Sequence, residues 1–82
     1  MAAYRKKPVL IDAWQYGVEA LPDWLRERPE LTFHADGSLT IATLEGEHRA
    51  HVTDWIIMGV KDELYPCKAD IFALTYEEDV HG

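Results

Sequence analysis

The sequence predicts a single α+β domain spanning residues 1–82, with a mostly antiparallel, twisted sheet of five or six strands and two short helices packed on it. Three observations lead there. Short runs of alternating or wholly apolar residues recur along the chain between turn-forming residues, as in an antiparallel meander. Two other segments space their apolar residues by three and four, as a helix does. A length of 82 residues is enough for one core and too short for two. The expected order is β-α-β-β-β-β-β-α, and a sheet curled toward a small barrel is compatible with it.

Pro8 to Tyr16 is rich in strand formers, and alternation puts Val9, Ile11 and Ala13 on one face with Leu10, Asp12, Trp14 and Tyr16 on the other. Gly17 ends this strand. Between Val18 and Arg28, the residues Val18, Leu21, Trp24 and Leu25 share a helical face opposite Glu19, Asp23 and Glu27. Pro22 is tolerated only in a first turn, so the helix starts near Leu21, and Pro29 stops it. Leu31 to His34 and Ser38 to Leu44 flank Ala35-Asp36-Gly37, a hairpin signal because glycine reaches positive φ without steric cost.

Glu45-Gly46-Glu47 supplies a second turn, and His48 to Val52 follows as a half-exposed strand with His48, Ala50 and Val52 on one face. Trp55 to Val60 has no solvent face, which predicts a central strand covered on both sides. Gly59 marks a bulge or a close backbone approach. Beyond the turn at Lys61-Asp62, Glu63 to Cys67 returns, and Pro66 confines that strand to an edge or a strand end. Ala69 to Glu77 closes the fold as a helix presenting Ile71, Phe72, Thr75 and Tyr76 on one face, and residues 77–82 are expected to fray. Trp55 and Phe72 are assigned to the core.

Composition narrows the function classes. No stretch approaches the roughly 18 apolar residues of a membrane span, and MAAYRKKP passes directly into a strand pattern without the apolar run of a signal peptide. A cytoplasmic location with no membrane partner is expected. The single cysteine, Cys67, excludes an internal disulfide and fits a reducing compartment. Eight Lys and Arg against fifteen Asp and Glu give a net charge of −7, which repels phosphate backbones. Nucleic acid is therefore not expected as a direct partner. The one basic cluster, Arg5-Lys6-Lys7, reads as a solvated lead-in that discourages edge pairing.

Two blocks of sequence, YRKKPVLIDAWQY near the start and DWIIMGVKDELYPCKADIFALTYE toward the end, resemble a family of small uncharacterised bacteriophage and prophage proteins. Members resemble this chain in a basic-Pro-strand lead segment and in a block running through YPC, IF and TYE. The region from Gly17 to Thr53 is similar only in layout. Three positions depart from the family pattern: Thr53 and Asp62 stand where glycine is usual, and Ala69 stands where proline commonly opens the helix. The resemblance implies a gene carried by a phage and expressed in bacterial cytoplasm, and it brings no activity, cofactor or site residue with it.

Candidate chemistry is sparse. His34, His48 and His51 are potential metal ligands, but strand residues three apart face opposite sides, so His48 and His51 do not converge and no metal site is expected. Cys67 next to Lys68 and a helix start has the setting of an activated thiol, yet a lone cysteine between a proline and an apolar helix fits a packing residue. No phosphate loop, dinucleotide fingerprint, hydrolase elbow or zinc-protease helix occurs, and no catalytic residue or cofactor is assigned.

Aromatic residues outnumber what so small a core can bury. Tyr4, Tyr16, Trp24 and Tyr65 are candidates for a protein-contact surface, since partly exposed Trp and Tyr often anchor interfaces. The leading expectation is a phage-encoded, non-enzymatic accessory protein, monomer or homodimer, that binds a host or phage protein. A small enzyme or ligand binder with a pocket near Asp54, Tyr65, Cys67 and Lys68 is the alternative. A third reading makes the acidic surface a nucleic-acid mimic.

Overall fold

Eight elements follow one another in the computed structural model, which describes residues 2–5 and 7–79. They are β1 (Asp12–Gln15), α1 (Asp23–Arg26), β2 (Leu31–Phe33), β3 (Leu39–Thr43), β4 (Gly46–Ala50), β5 (Trp55–Met58), β6 (Leu64–Cys67) and α2 (Ala69–Thr75). The α+β class and the order of elements are those the sequence predicts. The strands form two three-stranded antiparallel sheets, β1-β5-β6 and β2-β3-β4, and do not close into a barrel. The sheets meet where β6 packs across β3 and β4.

The change of sheet occurs at the turn from His51 to Asp54, closed by the Asp54 N–H donating to the His51 carbonyl at 2.9 Å. Thr53 sits in this turn at φ 81°, a conformation that suits glycine and strains a β-branched residue. The Asp54 side chain is buried and accepts the His51 N–H at 2.9 Å and the Lys68 ammonium at 3.1 Å. Register explains the second contact: Trp55 pairs with Cys67, so the residues just outside that pair face each other across the ladder's end.

Between the sheets lie Trp14, Leu25, Leu39, Ile41, Ala50, Ile56 and Leu64, all buried, with Tyr16, Leu21, Trp24, Leu31 and Met58 packed around them. Period-2 alternation selects these residues on each strand. On β5, Ile56 joins this interior while Ile57 is equally buried on the opposite face, so the expected two-sided central strand is observed over Trp55–Met58, whereas Val60, expected within it, lies beyond the strand and is exposed. β6 is an edge strand of its sheet, as Pro66 requires. Gly37, at φ 90°, turns β2 into β3 through the expected Asp-Gly hairpin.

Several expectations are corrected. Trp55 and Phe72 do not belong to the inter-sheet core; both are half-buried on the outer face of the β1-β5-β6 sheet, where they stack on each other. Trp14 is the fully buried tryptophan, because its strand position pairs with Ile56. On α2, Ile71 and Thr75 are exposed, and Phe72 and Tyr76 make the aromatic contacts on the sheet side. α1 is a single turn whose N-cap is Pro22, in extended conformation, and β1 is limited to the four residues that β5 can pair. Val80 to Gly82, part of the expected frayed tail, lie outside the described residues, as does Lys6.

Two stability outcomes follow from this packing. Trp14→Ala should cost about 3–5 kcal/mol, whereas Trp55→Ala, which loses a stack on a half-exposed face, should cost clearly less; denaturant unfolding that reverses this order would contradict the assignment of faces. Thr53→Gly should raise stability by about 1 kcal/mol through relief of the positive φ, and a lowered unfolding midpoint would show that the turn carries no such strain.

Candidate functional site

α2 lies on the outer face of the β1-β5-β6 sheet because Phe72 and Tyr76, one helical turn apart, project to the same side. The Phe72 ring stacks on Trp55 with centroids 3.9 Å apart and planes 5° from parallel. Tyr76 continues the row at 5.0 Å from Phe72, and its hydroxyl lies 3.4 Å from that of Tyr65. Tyr65 stands opposite Ile57 in the ladder and so shares this face. Burial first, and then the hydrogen bond with Tyr76, push the Tyr65 hydroxyl well above its ordinary pKa, so it is a neutral hydrogen-bonding group and not a base.

A groove of about 530 Å³ runs beside this aromatic row. Trp55, Phe72 and Tyr76 form one side, and Val9 to Ala13 with Gln15 and Val18 form the other. Val9, Leu10 and Val18 are 50%, 77% and 61% exposed, so the groove is bordered by apolar surface that nothing in the described chain covers. Its acidic lining residues are Asp12, Glu19, Glu77, Glu78 and Asp79, and among the described lining residues there is no Lys, Arg or His.

A second hollow, an open cleft of about 800 Å³, lies between the β3–β4 and β5–β6 hairpins. Tyr65, Glu30, Glu63, His48 and Lys61 border it, and both carboxylates and the Tyr65 hydroxyl already have partners. Glu30 is bound by Arg28 through contacts of 2.8 and 3.3 Å, and Glu63 accepts the Lys61 N–H at 3.1 Å. Leu44 at its rim is fully exposed on a hairpin tip. The cleft is the larger of the two hollows and the more apolar in lining; the stacked aromatic wall is found only at the groove.

The sequence-derived candidates are scattered. Tyr4 is 94% exposed in the lead segment. Tyr16 and Trp24 are half-buried against the inter-sheet core, with the Tyr16 hydroxyl donating to the Gly37 carbonyl at 2.9 Å. Tyr65 is on the opposite, outer face. Of the residues considered for an alternative pocket, Asp54 and Lys68 are ion-paired, and Tyr65 lines the cleft between the hairpins. Sequence reasoning missed the row formed by Trp55, Phe72 and Tyr76; the four-residue spacing of the last two was visible, but the strand they would meet was not.

Cys67 is half-buried, with its thiol 3.6 Å from the Lys68 carbonyl. Burial, followed by the negative fields of Asp54 and Asp70, raises its pKa and so depletes the thiolate that a nucleophile needs. His34 Nε2 is engaged with the Thr40 hydroxyl at 2.6 Å. Among the described residues no group of three or more His, Cys, Asp or Glu side chains is placed to hold a metal ion, and no helix is long and apolar enough to cross a membrane.

No protein-family model, curated protein or solved structure matches this chain. The raised thiol pKa yields a direct expectation: native Cys67 should react with a neutral-pH thiol reagent more slowly than the same residue in the unfolded chain. Labelling at equal or greater rate in the folded protein would restore Cys67 as a candidate nucleophile.

Proposed function

We propose that this chain is a small, non-catalytic binding protein, encoded by a phage, that engages a host or phage protein in bacterial cytoplasm through the groove beside α2. The observation that carries the binding role is the groove itself: exposed Val9, Leu10 and Val18 border a floor built from the Trp55–Phe72 stack. Apolar surface of this kind beside rigid aromatic rings is the usual setting of an interface anchor. The phage setting rests on the sequence resemblance. In its support, two positions where that family usually has glycine, Thr53 and Asp62, are the non-glycine residues at positive φ among the described ones, at 81° and 66°.

The test compares capture from bacterial lysate by three tagged forms: the unaltered protein, Leu10→Glu/Val18→Glu in the groove, and Leu44→Glu/His48→Glu in the cleft. All these positions are exposed, so the variants should melt close to the parent. A partner held by the unaltered and cleft forms and lost by the groove form is the expected result. Loss with the cleft form alone, or retention by all three, would overturn the assignment.

A further inference from the structure

Each sheet has two edges, and they are protected unequally. β6 carries Pro66, which has no N–H to offer; β4 presents Glu47 and Arg49; β2 is only three residues long. β1 carries no proline along Asp12–Gln15 and has a single charged residue, Asp12, at its start. Its backbone polarity can be read from its end: the Tyr16 N–H donates to Asp54 and its carbonyl accepts from Thr53, so Tyr16 faces β5. The N–H of Gln15 therefore points away from β5, and it is met by the Glu19 carboxylate at 3.2 Å. The N–H and C=O of Ala13, two residues earlier, point the same way, and no partner strand meets them among the described residues. Ala13 lines the groove.

Charge identifies what would pair there. Asp12, Glu77 and Glu78 border the groove, and no cationic side chain does so among the described lining residues. Resting on the binding role proposed above, we infer that the groove takes an extended, cationic and apolar segment of a partner protein, added to the sheet as a strand beside β1. Main-chain hydrogen bonds to Ala13 hold the segment, alternate apolar side chains meet Phe72 and Tyr76, and its Lys or Arg side chains face the carboxylates. An acidic segment would meet repulsion along the same path.

The probe is a fluorescein-labelled peptide of about eight residues alternating lysine and valine, a typical strand length or slightly more, followed by anisotropy on the full chain. Saturable binding that weakens as salt rises is expected, with no binding of the glutamate-valine counterpart. Asp12→Asn/Glu77→Gln/Glu78→Gln, all at exposed positions, should weaken the lysine peptide about tenfold, and N-methylation of alternate peptide amides should abolish binding. Equal affinity for both peptides, no effect of the triple variant, or tolerance of N-methylation in both alternate frames would overturn the inference. Peptide displacement by self-association, seen as a dimer in sedimentation, would overturn it in favour of a second copy as occupant. If the lysine peptide fails while the groove variant still loses its lysate partner, the inference falls and the binding role stands.

Discussion

The interior between the two sheets is the constraint on which the rest of the molecule depends. A three-stranded sheet needs a covered apolar face to persist in water, and here each sheet is the other's cover. Trp14, Ile56 and Leu64 come from one side and Leu39, Ile41 and Ala50 from the other, with Leu25 closing the space. Fully burying a side chain the size of leucine contributes about 1.5–3 kcal/mol. A helix of four residues cannot nucleate by its own hydrogen bonds. α1 therefore exists because Leu25 has a place in the core.

β5 transmits that constraint to the outer face. Ile57 is as buried as Ile56 but points the other way, so the sheet must be covered twice, and on that outer face α2 lays Phe72 against Trp55. Polar contacts pin the two ends of this arrangement. At one end Asp54 holds Lys68 at the start of α2. At the other, the Arg28 guanidinium donates to Glu30 and to both the carboxylate and the carbonyl of Asp62, tying the β5–β6 turn to the connection before β2. The hydrogen bonds from Arg28 are the main reason that the Glu30 pKa is lowered and its own is raised. Ionised Glu30 thus adds stability above the ordinary carboxylate range, and that contribution is lost as pH falls through its lowered value, while Arg28 stays charged throughout.

The candidate groove is a by-product of this economy of cover. α2 spans seven residues and covers Trp55 through Phe72, while among the described residues the groove on the β1 side is lined by the lead segment, Val18, Glu19 and the acidic residues after the helix. The aromatic residues divide accordingly. Trp14, Tyr16 and Phe33 form one row, with Trp14 and Tyr16 packed into the interior, and Trp55, Phe72 and Tyr76 form the wall of a surface. A bare strand edge next to apolar and acidic groups is a binding surface in waiting or an aggregation hazard, and the carboxylates weigh against the second outcome.

Element type and order could be read from the chain alone, because they depend on local physics: alternation along β3 and β5, the Asp36-Gly37 turn, the prolines bounding α1, and Pro66 consigning β6 to an edge. The exclusion of a disulfide and the acidic balance were equally local. What only the tertiary structure decided was partnership. Trp14 and Trp55 sit in similarly apolar strands, and nothing in either strand says which will face the other sheet and which will stack on Phe72; that depends on register between residues some forty positions apart. The same holds for the β1 edge and the carboxylates of Asp12, Glu77 and Glu78, which are distant in sequence and become one groove only when α2 folds back across β5.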